Sequence, residues 1–171
     1  GLGDLFVFVY FGLVAVTGTY YVQAAVAVAG VPAFTAPADL VPLAAVVAAL
    51  PAAGLSTCIL IVNNIRDRET DAKAGKRTLA VTLGYTGSRI EFLLMLGMAY
   101  VVPVVFAATG YGVATGYGVA TLAPLVTLPL AARLARTVLT ETGGEALNPA
   151  LETTGKLLFA HSLLFAVGLA V

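Results

Sequence analysis

The residues best suited to chemistry lie in one short charged segment, residues 63–80. This segment holds eight of the 18 charged side chains in a chain of 171 residues. Asn63, Asp67 and Asp71 are spaced four residues apart within it, so on a continuous helix all three would project from one face. Mg²⁺ commonly combines one or two carboxylates with the phosphate oxygens of a substrate. The spacing therefore predicts half of a magnesium site that handles a phosphate-bearing ligand.

Basic side chains in the same segment could neutralise such a ligand. They are Arg66, Lys73, Lys76 and Arg77, and guanidinium and ammonium groups are common partners of phosphate oxygens. An alternative is that these charges form only a solvated loop that obeys the positive-inside rule. Composition and charge alone leave both interpretations open.

The rest of the chain has the composition of a membrane protein. Apolar residues make up 60% of the chain and charged residues 11%, and the mean hydropathy is +0.98. A single Cys and a single His argue against a disulfide framework and a zinc site. The formal net charge of zero gives no reason to expect a nucleic-acid partner. We expect an all-α, polytopic transmembrane helical bundle embedded in the lipid bilayer.

Five apolar segments are candidate membrane spans, since a crossing needs about 20 residues. The predicted spans are residues 5–29, 41–62, 90–108, 119–132 and 149–171. Asp39 is the expected N-cap of the second span, and Asn148 and Pro149 are the expected start of the fifth. Gly75 is expected to end the helix that carries the aspartates, and residues 84–88 are expected to form a loop.

Basic residues accumulate in alternate loops of this five-span arrangement. Lys and Arg flank the loop after the second span and the loop before the fifth, whereas residues 30–38 and 109–116 contain neither. The positive-inside rule then places both basic loops on the cytoplasmic side. We therefore expect the aspartates to face the cytoplasm.

The charged segment also resembles a known family. Asn63-Asn64-x-Arg66-Asp67-x-x-x-Asp71, followed by Gly75-Lys76-Arg77-Thr78-Leu79, is similar to the second aspartate-rich motif of the UbiA superfamily of membrane prenyltransferases. Within that superfamily it is most similar to the dihydroxynaphthoate polyprenyltransferases of menaquinone synthesis. The run Gly-Thr-Tyr-Tyr-x-Gln at residues 18–23 resembles the same branch.

The resemblance implies a larger fold than this chain can form. Superfamily members have nine transmembrane helices, of which residues 1–171 would be the C-terminal five. They carry two aspartate-rich motifs whose Mg²⁺ ions hold the substrate diphosphate, and the first motif is absent from this sequence. The chain begins with Gly and not Met, so we expect a piece of a longer protein that is inactive alone.

The resemblance also implies roles for individual residues. Asn63, Asp67 and Asp71 correspond to the metal-binding positions, and the two aspartates are the expected catalytic residues. Asn64 and the four basic side chains named above correspond to positions that bind the substrate.

A second group of candidates lies in the first span. Tyr20, Tyr21 and Gln23 are expected to line a substrate cavity. An alternative for Gln23 is a hydrogen bond, with Thr19, to a neighbouring helix, as polar side chains in membrane helices often make.

The activity implied is Mg²⁺-dependent transfer of a polyprenyl group from a polyprenyl diphosphate to 1,4-dihydroxy-2-naphthoate, with loss of CO₂ and diphosphate. Transfer to another acceptor, such as 4-hydroxybenzoate, is an alternative. A non-catalytic scaffold would explain the spans but not the register of the aspartates. A secondary transporter would need an ionisable site near the middle of the membrane, where this chain offers His161 without a partner.

Overall fold

The computed structural model describes residues 1–27, 30–110 and 118–171, and all regular elements within these ranges are helical. The α-helical elements are α1 (Gly3–Ala27), α2 (Leu43–Arg66), α3 (Arg68–Lys73), α4 (Leu79–Thr109), α5 (Leu128–Thr140) and α6 (Gly144–Ala170). Residues Val7–Val14 of α1 form a π-helical stretch. Short 3₁₀ helices cover Ala33–Thr35 and Ala38–Leu40, and a longer one, Gly118–Thr127, leads into α5.

Five helical segments of the described chain are long and apolar enough to cross a membrane, which confirms the predicted all-α bundle of five spans. They are α1, α2, α4, the segment Gly118–Thr140 and α6. The last two residues of the predicted first span, 28–29, and residues 111–116 of the predicted basic-free loop lie outside the described residues.

Helix α2 is the central element of the bundle. Its buried side chains include Leu55, Ile61 and Ile65, and they belong to one core with Phe92 of α4 and Leu157 of α6. At Gly54 the backbone is so close to α4 that an added Cβ would stand 2.6 Å from the carbonyl oxygen of Met95. Small residues at helix crossings are the usual means of close packing in membranes. The aspartate-bearing end of α2 is therefore held by several neighbours.

Helix α1 runs antiparallel to α2 along one side of the bundle. Asp4 at its beginning contacts Asn64 near the end of α2. Further along, a Cβ added to Gly12 would stand only 2.1 Å from the Cβ of Ala53. Gly12 lies in the π-helical stretch, and the two helix backbones are in close contact there.

Two predicted helix starts are wrong. Helix α2 begins at Leu43 and not after Asp39, which lies in a separate 3₁₀ turn. Pro42 explains this, because the residue before a proline avoids the helical conformation, and Val41 is extended with φ −90° and ψ 102°. Helix α6 begins at Gly144, four residues before Asn148, so Asn148 lies inside the helix and is not its N-cap.

The predicted loop at residues 84–88 is wrong except at one residue. Helix α4 begins at Leu79, where the hydroxyl of Thr78 accepts a hydrogen bond from the N–H of Val81 at 3.3 Å. The helix is interrupted only at Gly84, which has φ 71° and ψ −178°. Glycine adopts this left-handed φ without the steric penalty that a side chain would bring. The chain therefore turns at one residue and continues as helix.

Candidate functional site

The aspartates lie where α2 ends and the short helix α3 begins. The backbone at Asp67 departs from helical geometry, with φ −93° and ψ 3°, so the prediction of one continuous helix is wrong at this residue. The helical hydrogen-bond spacing nevertheless continues, because the N–H of Asp67 donates to the carbonyl of Asn63 at 3.0 Å and the N–H of Asp71 donates to that of Asp67 at 2.8 Å. Asn63, Asp67 and Asp71 are thus still separated by single turns.

The guanidinium of Arg66 joins several oxygens of the site. Its Nε and Nη2 donate to the two carboxylate oxygens of Asp67, each at 2.8 Å. Nη2 also donates to Oδ1 of Asn63 at 2.8 Å, and Nη1 donates to Oδ1 of Asn148 on α6 at 3.3 Å. The hydrogen bonds and positive charge of Arg66 hold the pKa of Asp67 below its usual range. One cationic group therefore occupies the space between two of the predicted metal ligands.

Asp71 has a different cationic partner. Nζ of Lys76 donates to its Oδ1 at 2.7 Å, and this hydrogen bond raises the pKa of Lys76. The chain folds back here because the N–H of Lys76 donates to the carbonyl of Asp71 at 2.9 Å and that of Gly75 to the carbonyl of Ala72 at 3.2 Å. Gly75 has φ 73°, which completes a Schellman motif and confirms that it ends this helix. The turn itself places the ammonium group on the carboxylate.

Two of the predicted basic residues have no such partner. Lys73 and Arg77 are exposed, and within residues 1–27, 30–110 and 118–171 neither side chain makes a hydrogen bond or an ion pair. Arg68, also in this segment, connects α3 to α4. Its Nε donates to the carbonyl of Ala80 at 3.0 Å, and its guanidinium lies 4.7 Å from the ring centre of Tyr85. Lys73 and Arg77 therefore remain accessible to an anionic ligand.

The side chain of Asn64 contacts Asp4, not Asp67 or Asp71. It is buried, and its Nδ2 donates to Oδ1 of Asp4 at 3.3 Å, so it ties α2 to the start of α1. Its assignment to substrate binding stays a prediction. Sequence reasoning missed Asp4, although a carboxylate at the start of an apolar span is a signal, because buried carboxylates in membrane helices are costly without a partner.

An open cleft of about 530 Å³ lies beside Arg66 and Asp67. Its other lining residues are Glu69, Thr70, Thr142, Gly143, Gly144, Glu145 and Asn148. The connector between α5 and α6 is fixed at this place by Arg89, which donates to the carbonyls of Val138 and Glu141, both at 3.0 Å. Both basic loops therefore meet at the same end of the bundle, and residues from both line one polar cleft there.

An apolar groove of about 370 Å³ begins at Asn63 and lies between α1, α2 and α6. Its lining residues are Val7, Phe11, Ser56, Ile59, Leu60, Asn63 and Leu158. Asn63 accepts a hydrogen bond from Arg66 at 2.8 Å, so it links this groove, lined mainly by hydrocarbon, to the polar cleft that Arg66 lines.

The structure does not bring Tyr20, Tyr21 and Gln23 to the aspartates. Tyr20 lies 16 residues after Asp4 along α1, about 24 Å at the rise of an α-helix. The hydroxyl of Tyr21 is within hydrogen-bond distance of the carbonyls of Ala33 at 2.8 Å and Ala36 at 2.7 Å, in the turn at the other end of the bundle. Gln23 is exposed. Their assignment to a substrate cavity stays a prediction.

The oxygen donors of this site suit a hard divalent cation. Oδ1 of Asn63 and both carboxylate oxygens of Asp67 already converge on one positively charged group, each at 2.8 Å from a guanidinium nitrogen. Such oxygens are the ligands that Mg²⁺ prefers. The part of the chain that the structure describes contains no group of three or more His, Cys, Asp or Glu residues that could hold a metal. Within these described residues, the aspartates could be joined by the Asn63 amide, and the remaining ligands would come from water, a bound ligand or protein outside them.

The sequence model of the UbiA prenyltransferase family matches residues 1–147 of this chain, which confirms the resemblance of the charged segment. The family is membrane-embedded and generally uses a divalent metal. Together with the five apolar helices, the match indicates an integral membrane protein. No solved structure matches the chain.

Curated relatives cover nearly all of this chain. The chain is 39% identical over 171 residues to "1,4-dihydroxy-2-naphthoate octaprenyltransferase" of Mycobacterium tuberculosis, covering 99% of this chain and 51% of that protein. It is 32% identical over 169 residues to the protein of the same name from Escherichia coli, covering 99% and 49%. It is also 32% identical over 169 residues to human "UbiA prenyltransferase domain-containing protein 1", covering 98% and 42%. The chain thus spans about half the length of the relatives it matches.

Proposed function

We propose that this chain, which belongs to the UbiA prenyltransferase family, is part of an enzyme that transfers a polyprenyl group from a polyprenyl diphosphate to 1,4-dihydroxy-2-naphthoate. The observation that carries the proposal is that Asn63, which lines the apolar groove, accepts a hydrogen bond from Arg66, which lines the charged cleft. A prenyl diphosphate has the same two parts, an anionic head and a hydrocarbon tail. The names of the relatives from Mycobacterium tuberculosis and Escherichia coli support the choice of acceptor.

Each side chain at the polar end has a role in this proposal. Asn63, Asp67 and Asp71 would hold Mg²⁺, which when bound supplies Lewis-acid stabilisation of the departing diphosphate. Lys73 and Arg77, which are exposed and unpaired within the described residues, place further positive charge where negative charge develops on the leaving group.

The apolar groove would hold the first part of the polyprenyl tail. Val7 and Phe11 of α1 and Leu158 of α6 face Ile59 and Leu60 of α2 across it. The allylic C–O bond breaks at the polar end, diphosphate leaves, and a ring carbon of the acceptor bonds to the allylic carbon. The carboxylate on that ring carbon leaves as CO₂, and the electron pair of the broken C–C bond restores the aromatic ring. Between the departure of diphosphate and the formation of the new bond, hydrocarbon walls keep water from reacting with the allylic cation.

The proposal includes an orientation in the membrane. Both basic loops lie at the end of the bundle that carries the aspartates, as the contacts from Arg66 to Asn148 and from Arg89 to Glu141 demonstrate. The positive-inside rule then assigns this end of a multi-pass cell-membrane protein to the cytoplasm. A soluble or membrane-bound supply of prenyl diphosphate on that side would reach the cleft directly.

Acceptor selectivity tests the proposal. We expect the full-length enzyme, given one prenyl diphosphate and Mg²⁺, to have a higher kcat/KM for 1,4-dihydroxy-2-naphthoate than for 4-hydroxybenzoate. The preference need not be absolute, since one extra apolar contact contributes about 1–3 kcal/mol. Chelation of Mg²⁺ should stop the reaction and its return should restore it. A preference for 4-hydroxybenzoate would overturn the acceptor assignment, and transfer to neither acceptor would overturn the proposed function.

A further inference from the structure

The same oxygens that suit a divalent cation are engaged by Arg66. Its guanidinium donates hydrogen bonds to both carboxylate oxygens of Asp67 and to the amide oxygen of Asn63, each at 2.8 Å. A divalent cation at these oxygens would stand beside a guanidinium of like charge, which is electrostatically unfavourable. The two cations therefore compete for one position.

Arg66 also has a partner outside this set. Its Nη1 donates to Oδ1 of Asn148, which belongs to α6, 82 positions further along the chain. Asn148 is exposed and lines the same cleft as Arg66 and Asp67. A guanidinium that leaves Asn63 and Asp67 can keep this hydrogen bond and turn its other N–H groups into the cleft. Planar guanidinium groups bind phosphate oxygens through two such donors.

We propose that Arg66 acts as an exchangeable cation: it occupies the metal position in the ligand-free site, and when a divalent cation and a diphosphate bind, it moves to the diphosphate while Asn148 retains it. Asn148 is thus a positioning residue that acts through Arg66. The inference rests on the proposed function, because it assumes that the cleft receives a metal diphosphate. The exchange makes metal binding depend on the diphosphate, because without diphosphate the guanidinium that leaves Asp67 would have no anionic partner.

Binding of Mn²⁺ to the full-length protein, followed by electron paramagnetic resonance of the free ion, tests this exchange with and without inorganic pyrophosphate. We expect Arg66→Met to tighten Mn²⁺ binding about fivefold in the absence of pyrophosphate, the equivalent of one partly exposed ion pair. With pyrophosphate present, the same variant should bind Mn²⁺ more weakly than the wild type. A purely structural defect would weaken binding in both conditions.

Arg68→Met is the matched control for charge. Arg68 is two residues away, and its guanidinium donates to Glu69 at 2.7 Å and to the carbonyl of Ala80 at 3.0 Å, not to Asn63 or Asp67. If Arg68→Met tightens Mn²⁺ binding as much as Arg66→Met, the effect is general repulsion and the exchange is overturned. The exchange is also overturned if Arg66→Met leaves Mn²⁺ affinity without pyrophosphate unchanged.

Asn148 is tested by two variants at an exposed position. Asn148→Leu should weaken Mn²⁺ binding in the presence of pyrophosphate and change it little without, because Arg66 retains three other hydrogen bonds in the ligand-free site. Asn148→Asp keeps a hydrogen-bond acceptor for Arg66, so we expect it to bind Mn²⁺ with pyrophosphate about as well as the wild type. If both variants lose Mn²⁺ binding equally, the role of Asn148 is overturned. If the wild type binds no Mn²⁺ even with pyrophosphate, the metal binding on which the proposed function depends is overturned. If the wild type binds Mn²⁺ and the variants at Arg66 and Asn148 have the same affinities as the wild type, only the exchange is overturned.

Discussion

The carboxylates of the site are electrostatically balanced before any ligand binds. A carboxylate at the C-terminus of a helix, such as that of Asp67 at the end of α2, opposes the helix macrodipole. Here Asp67 pairs with Arg66 at 2.8 Å and Asp71 with Lys76 at 2.7 Å. Each cation is held by a short local contact, one by the adjacent residue and one by the turn at Gly75. The negative charges needed for metal binding can therefore be kept without a metal.

The charge of Asp67 is testable by the nearly isosteric variant Asp67→Asn. Its amide cannot donate an anionic oxygen to Mg²⁺, so we expect kcat of the full-length enzyme to fall at least about 100-fold, the scale of losing one electrostatic contact to a developing charge. Prenyl transfer at saturating Mg²⁺ measures this, and thermal unfolding in detergent should stay close to the wild type.

Asp39→Asn is the control for the same chemical change. Asp39 is exposed in the turn that precedes α2, at the end of the bundle away from Asp67. We expect Asp39→Asn to leave kcat unchanged. Near-normal turnover of Asp67→Asn would contradict the metal role of this carboxylate.

At the scale of elements, local patterns were predictable and distant contacts were not. Apolar runs identify the spans because a membrane helix must satisfy its own backbone and expose apolar side chains. The spacing of Asn63, Asp67 and Asp71 lies within a few turns, so it persisted despite the break at Asp67. Contacts such as those from Arg66 to Asn148 and from Asn64 to Asp4 join residues 82 and 60 positions apart. They depend on helix packing, which sequence periodicity does not specify.

Boundary errors had equally local causes. Pro149 suggested a first helical residue, but α6 begins five residues earlier at Gly144. A proline this close to the start removes one intrahelical hydrogen bond, the bond to the carbonyl of Glu145, and that exposed residue can be solvated. Because the helix start was misplaced, Asn148 was predicted to be an N-cap, whereas it lines the cleft.

The contact between α1 and α2 gives a prediction at the same scale. Gly12→Ala adds a Cβ that would overlap Ala53, so the helices must separate, and overpacking of this kind costs about 1–3 kcal/mol. Thermal unfolding of the full-length protein in detergent should therefore occur at a lower temperature.

Gly18→Ala is the matched control on the same helix, because a Cβ there meets nothing within 4 Å. We expect this variant to be as stable as the wild type or more stable by up to about 1 kcal/mol, because alanine has a higher helix propensity than glycine. Equal stability of the two alanine variants would contradict the close approach at Gly12.

At the scale of the whole molecule, the described site is open on one side. The polar cleft and the apolar groove are both open, and the chain spans about half the length of its relatives from Mycobacterium tuberculosis and Escherichia coli. One aspartate motif supplies a few oxygens, whereas Mg²⁺ requires a near-octahedral set of ligands. The transfer reaction also needs walls that exclude water from the allylic carbon. Both requirements point to further protein around this site.

We therefore expect the 171 residues alone to produce no measurable prenyl transfer, although the full-length enzyme is active under the same conditions. The reason is that a diphosphate bound on one side only would leave its far oxygens and the allylic carbon in contact with water. A prenyl-transfer assay on the purified polypeptide, with circular dichroism to verify that its helices have formed, measures this. Co-expression with the remaining part of the longer protein should restore transfer. Product from the 171 residues alone would instead mean that one aspartate motif is sufficient or that a second copy of this chain completes the site.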